Sequence, residues 1–172
     1  MTDETRTSLD PEPIVREIMR TNVPTVAPED TVPVVANMMV QSGINGVPVI
    51  ENGRMIGIIT DSDIIAREAD VDAPMPVVFL DAYFMADAGR SFEEEARRAL
   101  AVNARQLMTS PVVSIRETAT LSHIATLMVD EGVNPVPVLD AHDNLVGIVS
   151  RADLVRVIAR LESEDAPDDT TA

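Results

Sequence analysis

Two eight-residue stretches carry the residue types whose spacing could do chemistry: Gly57-Ile58-Ile59-Thr60-Asp61-Ser62-Asp63-Ile64 and Gly147-Ile148-Val149-Ser150-Arg151-Ala152-Asp153-Leu154. Each runs glycine, two β-branched residues, a hydroxyl, two variable residues, then aspartate. A hydroxyl that ends a strand and opens a helix stands beside unpaired backbone N–H groups and a partial positive charge, a natural seat for phosphate. A carboxylate three residues later can accept hydrogen bonds from both hydroxyls of a ribose. The glycine removes a side chain where a planar group would approach. Structure alone also accounts for the spacing. Thr60 with Asp63, and Ser150 with Asp153, hold the N-cap and N3 positions of a capping box that uses aspartate. Spacing leaves both readings open.

These stretches belong to a duplication. Ile18-Met19 recurs as Leu107-Met108, an offset of 89 residues, and the same register matches Thr31 with Thr120, Gly43 with Gly132 and Val47-Pro48-Val49 with Val136-Pro137-Val138. One extra residue then enters the second copy, so Gly57 pairs with Gly147 and Asp63 with Asp153 at an offset of 90. Each copy predicts a short extended piece (24–27; 112–115) and a helix opening at Thr31 or Thr120, both suited to N-caps. Val34, Val35, Met38 and Met39 follow helical spacing, and Gly43 or Gly132 suits a left-handed helix end. A hairpin follows, turning at Asn52-Gly53 in the first copy and around 142–144 in the second. A last helix starts at Asp61 or Arg151. Strand-helix-strand-strand-helix, twice, is an α+β architecture.

Composition excludes several functions. There is no cysteine for a disulfide, a thiolate metal site or a nucleophile, and all 13 basic residues are arginine. The missing lysine removes a P-loop and a Schiff base. A net charge of −16 repels phosphate backbones, so no nucleic acid is expected. Apolar runs are too short to span a bilayer, and residues 1–12 lack a signal-peptide layout, so the expectation is a cytoplasmic protein with no membrane attachment. His123 and His142 have no paired spacing, and no metal site is expected.

Between the copies lie all the aromatics: Phe79, Tyr83, Phe84 and Phe92. Residues 71–80 carry Pro74 and Pro76 and read as extended. Phe79 with Tyr83, and Leu80 with Phe84, then have helical spacing. Ser91 with Glu94 forms a capping box that predicts a helix through about Met108. The domain expectation is a polar, disordered tail at 1–12, a first repeat at 13–70, a helical aromatic insert at 71–103, a second repeat at 104–161 and an acidic, disordered tail at 162–172. The aromatic cluster either packs on the parent fold or forms a subunit interface.

Met19, Val47-Pro48-Val49 and the Gly57-to-Asp63 motif, each with its counterpart, resemble CBS domains, and the pair resembles a Bateman module. The resemblance implies tandem CBS domains related by pseudo-twofold symmetry, with clefts between the repeats for AMP, ADP, ATP or S-adenosylmethionine. It places Asp63 and Asp153 on ribose hydroxyls, Thr60 and Ser150 on the first phosphate, and Thr25 and Ser114 near adenine. Val47-Pro48 and Val136-Pro137 would line the base pocket. Arg151 would pair with phosphate or stand solvated at the helix start. Asp61, in the equivalent place, would repel phosphate and favour a cationic ligand. The second motif is thus expected to bind a nucleotide more tightly. The implied function is a regulatory, non-enzymatic ligand sensor and homodimer acting on an unidentified protein, with no resident cofactor. The alternative is a ligand-free dimerisation scaffold.

Overall fold

The computed structural model describes residues 12–68, 76–79, 82–85 and 100–164. In chain order its elements are α1 (Val15–Ile18), α2 (Val32–Ser42), β1 (Gly46–Glu51), β2 (Arg54–Thr60), α3 (Asp61–Glu68), β3 (Pro76–Phe79) and β4 (Ala82–Met85). Then follow α4 (Ala104–Leu107), β5 (Ile115–Arg116), α5 (Leu121–Asp130), β6 (Val136–Leu139), β7 (Leu145–Val149) and α6 (Arg151–Glu164). They fall into two compact units. One joins the chain up to Asn22 with the chain from Val113 onward, and the other runs from Val23 to Val112.

In the Val23–Val112 unit, β1 and β2 form an antiparallel hairpin with Val47 opposite Ile59 and Pro48 opposite Ile58. Its turn works because Asn52 and Gly53 both take positive φ, 50° and 78°, as a two-residue hairpin turn requires. Val26 pairs parallel with β1, its N–H donating to the Pro48 carbonyl at 3.1 Å. Thr109 pairs with Ile58 on the free side of β2 through reciprocal bonds of 2.8 and 3.1 Å. Val35 and Met39 of α2 close over Val47, Val49 and Ile59, with Ala104 and Leu107 of α4 completing the core.

The other unit repeats the plan. β5 pairs parallel with β6, which pairs antiparallel with β7, placing Val136 opposite Val149 and Pro137 opposite Ile148. Arg20 pairs with Ile148 through reciprocal bonds of 2.9 and 3.0 Å. Thr120 caps α5, its hydroxyl accepting the His123 N–H at 3.3 Å. Val15, Ile124, Met128, Val136, Val138 and Val149 form the core.

Sequence repeat and packing unit therefore differ. The opening turn of each repeat, Val15–Met19 or Ala104–Met108, packs in the unit that holds the other repeat's strands.

Between the repeats, residues 76–79 are extended, as Pro74 and Pro76 imply for 71–80, whereas 82–85 depart from the helical expectation. Residues 76–79 and 82–85 are strands paired antiparallel, with Val78 opposite Tyr83 and Val77 opposite Phe84. Consecutive β-branched and aromatic residues on both sides of a short connection favour the pleated form. The capping box at Ser91 and Glu94 lies outside the described residues. Within the described residues, 100–103 are not helical, and the chain expected to continue a helix to Met108 makes a single turn, Ala104–Leu107. Asn103 is extended, bridges to Thr31, and caps α4 by accepting the Gln106 N–H at 3.1 Å.

Candidate functional site

In the unit containing Val113 onward, β7 ends at Val149, and Ser150 turns the chain into α6. The Ser150 N–H and hydroxyl both donate to Oδ2 of Asp153, at 2.9 and 2.6 Å. The Asp153 N–H returns a bond to the Ser150 hydroxyl at 3.3 Å. This is the reciprocal capping box that the spacing implied. The other carboxylate oxygen, Oδ1, accepts from Arg20 Nε and Nη2, both at 3.0 Å, and from Arg156 Nη1 at 2.9 Å. Asp153 is only 3% exposed. Burial pushes its carboxyl pKa up, but the Ser150 donors and the two guanidinium groups together outweigh it and hold the pKa below the usual carboxylate value.

Around this pair, Ser114 is half-buried beside Ile115, which sits opposite Val138. Val136 and Pro137 are buried in β6, opposite Val149 and Ile148. Ser114, Pro137 and Ser150 thus come from successive strands or their ends. Arg151 is exposed, and its backbone N–H donates to Asn134 Oδ1 at 2.9 Å.

The Val23–Val112 unit holds the matching set. The Thr60 N–H and hydroxyl each donate to Asp63 Oδ2 at 2.8 Å, and Asp63 is buried. Val47 and Pro48 are buried in β1, and exposed Thr25 adjoins Val26, which bridges to β1. Asp61 is exposed; its carboxylate accepts the Ser62 N–H at 2.8 Å, and its own N–H donates to the Asn45 carbonyl.

The glycines serve a different purpose from the one expected. A Cβ on Gly57 would lie 2.4 Å from the Met108 sulfur, and one on Gly147 would lie 2.4 Å from the Met19 sulfur. The space the glycines leave is filled by methionine rather than left for a planar ligand.

Sequence reasoning passed over Arg20 and Arg156. Arg156 follows Asp153 by three residues on one helix, a spacing that signals contact. Arg20 lies 133 residues away from Asp153, with no local signal. Among the described residues, no group of three or more His, Cys, Asp or Glu side chains is arranged to hold a metal ion.

The CBS domain model matches residues 15–70 and 104–160. The chain is 27% identical over 154 residues to the CBS domain-containing protein YhcV of Bacillus subtilis, spanning 88% of this chain and 89% of that protein. Its fold is similar to that of CBSX2 from Arabidopsis thaliana, solved in complex with AMP, at a TM-score of 0.65 and 22% identity, covering 87% of this chain and 98% of that one. It is equally similar to the CBS domain pair of protein MJ0100 in complex with 5′-methylthioadenosine and S-adenosyl-L-methionine. That match has a TM-score of 0.65 and 21% identity, covering 88% of this chain and 99% of that one.

Proposed function

The chain belongs to the CBS domain family, and from that premise we propose that it is a regulatory sensor of adenosine-containing ligands, AMP, ADP, ATP or S-adenosylmethionine. One observation carries the reading: each unit holds a buried carboxylate, Asp63 or Asp153, at the mouth of a strand-to-helix turn. There a hydroxyl and a helix start stand beside it. This is the pairing of a diol acceptor with a phosphate seat. The ligands in the CBSX2 and MJ0100 structures are adenosine compounds, which supports the choice of class.

In this reading Asp63 and Asp153 take ribose hydroxyls, and Thr60, Ser150 and Arg151 take phosphate. Thr25, Val47 and Pro48 in one unit, and Ser114, Val136 and Pro137 in the other, surround the base. The protein performs no catalysis of its own and carries no resident cofactor. It works in the cytoplasm as a homodimer, and ligand shifts the balance between two arrangements that a regulated protein distinguishes. The dimer would bury the exposed Val40 and Ile65 of one unit and Val129 and Val155 of the other. These residues are equivalent by repeat, and large apolar side chains repeated on helix faces favour association.

The completed capping box at Ser150 and Asp153 favours a second reading, a scaffold whose aspartates only cap helices. A thermal-shift panel with AMP, ADP, ATP and S-adenosylmethionine separates the two. A ligand at about a hundred times its Kd stabilises by roughly 2.7 kcal/mol, a rise of several degrees. A rise that disappears in the Asp63→Ala, Asp153→Ala double variant supports the sensor; no rise with any ligand supports the scaffold.

A further inference from the structure

The Asp153 carboxylate already has five donors. Ser150 supplies two to Oδ2. Arg20 Nε and Nη2 and Arg156 Nη1 supply three to Oδ1. An ionised carboxylate offers roughly four acceptor directions, so these oxygens are filled. A diol ligand gains Oδ1 only by moving a guanidinium aside. The two arginines can move, because their side chains are 41% and 69% exposed while Asp153 is buried. Moving them breaks charge-assisted hydrogen bonds, the stronger kind. A ligand that brings its own negative charge offers the displaced guanidinium groups a new partner. A neutral ligand offers none, and a cationic one is repelled.

We infer that Arg20 and Arg156 act as an internal competitor at Asp153 and make this unit select anionic adenosine ligands, nucleoside phosphates, over neutral or sulfonium ones. The inference rests on the adenosine-ligand reading and adds its charge specificity. It also assigns a role to Arg20, which reaches Asp153 from the residue after the opening turn of the other repeat.

The test is calorimetric titration of the full chain with AMP, adenosine and S-adenosylmethionine, in the natural protein and in Arg20→Ala, Arg156→Ala. The Asp63 motif keeps its own sequence in these variants and serves as the reference class of sites. In the natural protein AMP binds the Asp153 class about tenfold or more tighter than adenosine, the scale of one charge-assisted bond. In the double variant adenosine and S-adenosylmethionine gain affinity, AMP loses it, and the preference collapses. Arg20→Lys, Arg156→Lys keeps the charge and restores part of the preference, which a purely structural role would not do. If the double alanine variant unfolds, Arg156→Ala alone carries the test, since Arg20 still pairs with Asp153, and the expected change is smaller. An unchanged preference in variants that still bind overturns the inference alone. No binding of any of the three compounds by the natural protein overturns the adenosine reading, and this inference with it.

Discussion

A Cβ placed on Gly147 would lie 2.4 Å from the sulfur of Met19 and 3.1 Å from the backbone carbonyl of Arg20. Gly147 sits in β7, and Met19 ends the opening turn of the other repeat, so a missing side chain in one repeat is the seat for the other. Gly147→Ala forces the methionine out and presses on the backbone, and such overpacking costs about 1–3 kcal/mol. Removing Met19 to alanine leaves a void and also destabilises. The combination restores room, so the double variant is expected to lose less than the two single losses added. Coupling between residues in contact runs to roughly 0.5–3 kcal/mol. Urea denaturation of the four proteins measures it; strict additivity would mean that the two residues do not share the space.

Acid is expected to weaken the unit that holds Asp153. Its carboxyl is held below the ordinary value when folded, despite burial, by the Ser150 donors, Arg20 and Arg156. A folded pKa below the unfolded one gives stability that is present above the unfolded value, about pH 4, and is lost as pH falls through the folded value. Asp153→Asn removes that titration. The variant is less stable at pH 7, and its stability falls less steeply than that of the natural protein between pH 5 and 3. Urea midpoints across that range read the slopes directly.

Self-association has its own test. Val155 is exposed on α6, and Ile65 is exposed on α3 at the equivalent repeat position. A buried charge at an apolar interface is costly unless paired. Val155→Glu and Ile65→Glu are therefore expected to shift the protein toward monomer in sedimentation velocity runs, while melting of the isolated fold changes little. Unchanged sedimentation in both would move the interface away from these helices.

Much of the fold could be read from residues a few positions apart. The Asn52-Gly53 turn, the left-handed Gly43 and the Ser150–Asp153 and Thr60–Asp63 pairs are local devices, and each forms. The pairs spaced four apart misled because that spacing suits a helix but does not exclude two paired strands. Phe79 and Ala82 face each other across the strands, and the β-branched run at Val77-Val78 decides for the pleat. Arg20 and the exchange of opening turns were not legible. Duplicated repeats offer near-identical seats, and only packing shows which repeat's turn occupies which. Arg20's partner depends on that choice. Register places Val47-Pro48 and Val136-Pro137, two of the candidate binding pairs, on strands beside Ile58-Ile59 and Ile148-Val149, but register carries no ligand chemistry.

Arg151 separates the two motifs most sharply, because Asp61 stands in its place in the other copy. Its side chain is exposed at the first position of α6, while its N–H is already committed to Asn134. Removing the side chain therefore leaves the backbone cap intact, and Arg151→Ala is expected to change stability by less than about 0.5 kcal/mol, as surface substitutions usually do. If the guanidinium meets a phosphate, the same substitution weakens AMP and ATP by roughly tenfold and leaves adenosine unaffected, because hydrogen bonds to charged groups contribute about 1.5–3 kcal/mol. Asp61→Arg in the other motif should move affinity in the opposite direction for phosphorylated ligands. Calorimetry on both variants with ATP and adenosine decides it. Equal loss for both ligands in Arg151→Ala would assign the residue to general site integrity, and no loss at all would leave it a solvated helix-start residue.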